Sequence, residues 1–104
     1  MKIIRDCFGR HVRLTHERLA HILHHPEMAA LEGEIERVLA APAEVRVSRS
    51  DESVRLFYEF HARTPVGGKW FCVVVKYVGD DDAFVITAYL TDRPKAGVTL
   101  WPIR

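Results

Sequence analysis

A chain of 104 residues with 48% hydrophobic residues has material for one core, and its 15 Lys and Arg against 14 Asp and Glu leave a formal charge of only +1. That balance excludes a generally polycationic surface, so any attraction to nucleic acid must come from local patches. Cys7 and Cys72 form no zinc spacing, Met-Lys-Ile-Ile followed by Arg5 and Asp6 does not read as a signal peptide, and no apolar run is long enough to span a bilayer. The expectation is a disulfide-free cytoplasmic domain, acting where it is made or carried into a target cell's cytoplasm by a larger system.

In chain order, Ile3 and Ile4 suit a short edge strand, and Gly9 to Leu14 alternates enough for a second extended piece. Thr15 reads as an N-cap with Glu17 in the first turn, opening a short helix over His16 to His24 that buries Leu19, Ile22 and Leu23. Pro26 breaks that helix and can start the next, expected over Glu27 to Ala40. Met28, Leu31, Ile35, Val38 and Leu39 fall there at helical spacing, with Glu32, Glu34, Glu36 and Arg37 on the solvated side, and Pro42 closes the element.

Everything after Pro42 reads as strands. Glu44 to Ser50 alternates through Val45 and Val47, and Val54 to Arg63 places Val54, Leu56, Tyr58 and Phe60 on one face. Lys69 to Val78 is apolar on both faces, as a covered central strand would be. Phe84 to Thr91 returns after an acidic turn, with Phe84, Ile86, Ala88 and Leu90 toward the core and the hydroxyls of Thr87, Tyr89 and Thr91 on the opposite face. The tail from Asp92 reads as a loop, with a brief edge strand at its end as an option. Short connections favour a single α+β domain over residues 1–104, with two N-terminal helices packed across one face of an antiparallel meander of about four strands.

Chemically equipped residues fall into several groups. Thr87 and Tyr89 suit either cross-strand packing or a site. Arg13 and His16 flank a helix start, where free N–H groups favour a phosphate and an imidazole can move a proton, although spacing alone suits plain solvation better. Glu59 and His61 share a strand face that Arg63 continues, giving a carboxylate, an imidazole and a guanidinium in line as substrate-binding candidates, or an ordinary exposed face. Lys95 follows the hydroxyl strand and can reach a phosphate or simply keep a loop soluble. His21 and His25 lie one helical turn apart with Glu27 just beyond, but Ile22 stands where a zinc protease carries Glu, so no metal is expected.

Arg13-Leu14-Thr15-His16 at the first helix, His24-His25-Pro26-Glu27 at its end, a second helix closed by Pro42, a tyrosine-bearing strand, and Ile86-Thr87-Ala88-Tyr89-Leu90-Thr91-Asp92 followed by Lys95 and Trp101 make a recognisable order. It resembles the phage-associated branch of the barnase/EndoU/colicin/RelE-like nucleases, over about His11 to Trp101. The resemblance implies a small toxin-type ribonuclease fold, two helices on a curved antiparallel sheet of about four strands, with RNA held on the concave face. It also implies metal-independent and cofactor-independent cleavage, in which the 2′-hydroxyl attacks phosphorus while cationic and hydroxyl groups stabilise the phosphorane. On that basis His16 is expected as acid or base, Arg13 and Lys95 on phosphate, and Thr87 and Tyr89 as hydroxyl donors.

Such a protein would act on transfer or messenger RNA, away from membranes, and would pair with an acidic antitoxin or immunity protein. Toxin ribonucleases are usually distinctly basic, whereas this chain is not, so its active face must concentrate positive charge or its activity has been lost or redirected. The alternative is a catalytically silent relative that binds RNA or a phage or host protein through the same face. A generic α+β interaction domain is the third reading.

Overall fold

The computed structural model describes residues 1–103. Its elements run β1 (Lys2–Arg5), β2 (His11–Leu14), α1 (His16–Leu23), a 3-10 helix (Pro26–Leu31), α2 (Glu32–Ala40), β3 (Glu44–Val47), β4 (Val54–His61), β5 (Lys69–Val78), β6 (Asp82–Thr91) and β7 (Thr99–Trp101). The expected antiparallel sheet of about four strands is corrected to a mixed sheet of seven, in the order β1-β2-β6-β5-β4-β3-β7. The four later strands form the antiparallel meander at its centre. To these the structure adds a β1–β2 hairpin, a parallel junction of β2 with β6 at Arg13 and Phe84, and β7 laid against β3. These are the short edge strand expected at Ile3 and Ile4, the extended piece expected at Gly9 to Leu14 and the brief strand at the end of the tail; each is only three or four residues long and is held by pairing within the one sheet.

Both helices are built on the expected signals. The Thr15 hydroxyl caps α1 by accepting from the Arg18 N–H at 3.1 Å. Ile22 is buried and Leu19 and Leu23 are half-buried. The second helix starts later than its apolar spacing suggests. Pro26 opens a 3-10 helix, and Leu31, at φ −113° and ψ 14°, leaves helical geometry before α2 begins at Glu32. Met28, Ile35, Val38 and Leu39 are nonetheless all buried. Among the described residues no helix is long and apolar enough to cross a membrane.

The sheet has two unlike faces. The helices cover one, where Ile22, Met28, Ile35, Val38 and Leu39 pack on Phe57, Phe71, Val73, Val75, Val85 and Ala88. On the other face a smaller cluster of Val54, Leu56, Tyr58, Cys72 and Val74 is joined by Trp70, Ile86 and Tyr89, with no helix above it. Strict alternation along β6 is corrected here. Pairing passes from Val74↔Thr87 to Val75↔Val85, so Ile86 is the extra residue of a β-bulge. Ala83 and Val85 before the bulge, and Ala88 and Leu90 after it, therefore all belong to the helix-side core. Ile86, expected in that core, packs on the open side instead.

β6 is third in the sheet and β7 is last, so residues 92–98 must cross β5, β4 and β3. They do so as a strap over the open face, held where the Lys95 N–H donates to the Tyr58 hydroxyl at 3.0 Å and the Val47 N–H donates to the Val98 carbonyl at 2.9 Å. Gly97 sits so close that a Cβ there would lie 2.3 Å from the Val47 carbonyl oxygen. Gly97→Ala is expected to destabilise the protein by about 2 kcal/mol, since neither backbone can yield without breaking a β3 pairing. A urea midpoint unchanged from the parent would show that the strap is not seated this way.

Candidate functional site

The strap, the turn between β3 and β4, and the open face enclose a trough of about 460 Å³. It is lined by Ser48, Arg49 and Ser50 of the turn, by Lys95 and Ala96 of the strap, and by Val54, Leu56, Val74, Thr87 and Tyr89 of the sheet. The turn is braced internally: the Ser48 and Ser50 hydroxyl oxygens are 3.1 Å apart, and Asp51 accepts from the Ser53 hydroxyl at 2.6 Å and from Lys76 Nζ at 2.8 Å. That bracing leaves the exposed Arg49 with no acidic partner among the described residues.

Lys95 is placed differently from the other three lysines. Lys2, Lys69 and Lys76 are ion-paired with Glu36, Asp92 and Asp51. Lys95 has no carboxylate within ion-pair distance among the described residues, and its Nζ lies 5.8 Å from the centre of the Tyr89 ring. Among the described residues the trough therefore has two cations without carboxylate partners beside serine and threonine hydroxyls. Beneath them, Tyr58, Cys72 and Tyr89 form a row across β4, β5 and β6. Burial pushes the Tyr58 phenol up to about 12 and the Cys72 thiol up to about 11, and drives the Tyr89 phenol upward as well. All three are neutral at physiological pH. The buried Tyr89 hydroxyl makes no hydrogen bond among the described residues, and the thiol beside it is a weak partner.

Of the residues singled out from sequence, Thr87, Tyr89 and Lys95 come together in this trough. Arg13 borders a different hollow on Phe84, its guanidinium 5.4 Å from that ring and bound through two nitrogens to Asp82 at 2.9 and 3.0 Å. His16 is elsewhere again. It lines a cavity of about 470 Å³ with Leu19, Ile35, Glu32 and Glu36, and its Nε2 is 3.0 Å from the Met1 amine. The structure thus does not join His16 to Thr87 and Tyr89 in one cleft.

His61 lies on the helix side, with Nε2 2.7 Å from a Glu34 carboxylate oxygen and its ring 5.3 Å from that of Phe71. Arg37 binds the same carboxylate and, with His61, holds it below the usual range. Glu59, two residues before His61, adds to the negative field on Arg37, while Arg63 is exposed beyond the end of β4. The Glu59, His61 and Arg63 line is therefore not part of the trough. His21 and His25 stand 6.2 Å apart, ring edge to ring face, and no group of three His, Cys, Asp or Glu side chains among the described residues is arranged to hold a metal.

Sequence reasoning missed Ser48, Arg49 and Ser50. Their signal was a polar, cationic turn directly after an alternating strand, but only the path of the strap makes that turn a wall. It also missed Asp82, which lay in an acidic turn and is the partner of Arg13.

Two expectations follow from these contacts. Tyr89→Phe should raise stability by about 1 kcal/mol, because it removes an unsatisfied buried hydroxyl, whereas Tyr58→Phe should lower it by about 1 kcal/mol through loss of the strap bond; urea unfolding that ranks them the other way would contradict this bonding. Arg13 also holds the Asp82 carboxyl below its ordinary value. A depressed folded-state value contributes stability above the unfolded pKa and loses it as pH falls through the folded one. Asp82→Asn should accordingly flatten the acid side of the melting-temperature profile, and an unchanged profile would show that the pair contributes nothing.

Compared with known proteins, the chain matches no family model, no curated protein and no solved structure at a significant level.

Proposed function

We propose that this protein binds RNA along the open face of its sheet, with the backbone phosphates held at the Arg49 and Lys95 trough. The observation that carries this reading is the pair of cations, without carboxylate partners among the described residues, that line one hollow together with Thr87. A neighbouring anion would gain charge-assisted hydrogen bonds there without displacing an internal ion pair. Hydroxyls from Ser48, Ser50 and Thr87 add donors and acceptors of the kind that a ribose 2′-OH can meet. The sequence resemblance to phage-associated nucleases points to the same ligand.

Binding is supported more directly than cleavage. Among the described residues the trough is lined by no imidazole and no carboxylate, and its tyrosine is held neutral, so no described group there takes a proton readily near pH 7. One observation favours cleavage as a second reading: Thr87, Tyr89 and Lys95, three of the groups expected to face phosphate, do share the hollow.

A single experiment tests both. Single-stranded RNA should bind with an affinity that falls steeply with salt, and Arg49→Ala or Lys95→Ala should each weaken it and reduce the log–log salt slope by about 1. The RNA should stay intact in EDTA. Binding that neither substitution alters would refute the trough, and fragmentation in EDTA that Tyr89→Phe abolishes would establish the second reading.

A further inference from the structure

We propose that Phe60 and Trp70 form a stacking platform for one unpaired base of a single-stranded RNA whose phosphate lies at Lys95, an inference that rests on the RNA reading of the trough. Along the open face of β4, Val54, Leu56 and Tyr58 are covered, but Phe60, the next residue on that face, is 50% exposed. Its ring meets that of Trp70 at 5.5 Å and 69°, and Trp70 meets Tyr58 at 6.5 Å and 89°. Tyr58 is fully buried and anchors the strap, so the platform is fixed from beneath. Gly68 lies under the Phe60 ring, where a Cβ would stand 3.2 Å from Cζ, so the ring has room to lie against the turn.

The pairing register sets the platform beside the phosphate site. Phe60, Trp70 and Thr91 form one row across the sheet, and Tyr58, Cys72 and Tyr89 form the next. Two residues along a strand span about 7 Å, within the reach of one nucleotide from phosphate to base. Arg63 and Arg93, both exposed, follow β4 and β6 at the same end of the sheet, and neither has a carboxylate partner among the described residues. Aromatic faces flanked by cations on an open sheet suit bases that are free to leave a stack; a duplex keeps its base faces covered and offers nothing to this platform.

The test uses Trp101→Phe, which leaves Trp70 as the sole tryptophan of the two in the chain. Its fluorescence is titrated with single-stranded oligoribonucleotide, with RNA duplex of equal length and with inorganic polyphosphate, each also measured after Phe60→Ala and Phe60→Leu. Circular dichroism confirms that the variants fold. Single-stranded RNA should quench Trp70, and both Phe60 variants should bind it about tenfold more weakly, roughly one base's stacking contribution. Polyphosphate affinity should be unaffected by them, and duplex should leave Trp70 unquenched. If single-stranded RNA binds in a manner sensitive to Arg49 and Lys95 but neither quenches Trp70 nor responds to Phe60, the platform is refuted while the trough stands. If neither single-stranded RNA nor polyphosphate binds at low salt, both fail.

Discussion

One extra residue in β6 decides what each face of this protein can be. Without the bulge at Ile86, the side chains before and after it would keep a single parity, and a strand with Val85 in the core would turn Ala88 outward and Tyr89 inward. The bulge lets Ala83, Val85, Ala88 and Leu90 all serve the helix-side core. It also leaves Phe84, Thr87 and Tyr89 on the open side, opposite Lys76, Val74 and Cys72. Both the hydrophobic seat for α1 and the floor of the trough depend on that local break in the ladder.

The near-zero net charge hides an uneven distribution. Many carboxylates are spent on specific cations: Glu36 on Lys2, Glu34 on Arg37, Glu44 on Arg46, Asp51 on Lys76, Asp82 on Arg13 and Asp92 on Lys69. Others, such as Glu17 and Glu32, lie on the helices. Arg49, Arg63, Arg93 and Lys95 have no carboxylate within ion-pair distance among the described residues. A sum over the sequence counts Lys69 and Lys95 as equals; the structure neutralises the first and leaves the second free.

The sequence was legible where the physics is local. Thr15 as a cap, the apolar stripe of α2 and the doubly covered β5 each follow from neighbours a few residues away. Strands β1, β2 and β7 were legible as short extended pieces but not in their pairing, because β2 joins β6 and β7 joins β3 across long stretches of chain. The bulge was hidden for a related reason: Phe84 to Leu90 reads equally well as uninterrupted alternation, and only the fixed register of β5 shows which residue is surplus. The site was half visible. Thr87, Tyr89 and Lys95 were marked by residue type, whereas Arg49 gains meaning only from a strap whose course depends on Gly97 and the Tyr58 hydroxyl. Arg13 and His16, three residues apart at one helix start, line separate hollows, since Arg13 belongs to β2 and is held by Asp82 while His16 belongs to α1 and meets the Met1 amine.

The way the sheet is completed also constrains how it can be made. Its centre is a meander of neighbours, but β2 joins β6 across some seventy residues of sequence and β7 reaches back to β3 across more than fifty. Contacts of such separation form late, after loop closure has been paid for by nearer pairings. On a ribosome the helices and the first hairpins can appear early, but β2 has no neighbour on its second side until β6 emerges, and the trough has no outer wall until the strap follows. The proposed binding surface is thus completed only after the strands beneath it, so a partly synthesised chain can carry the meander without that surface.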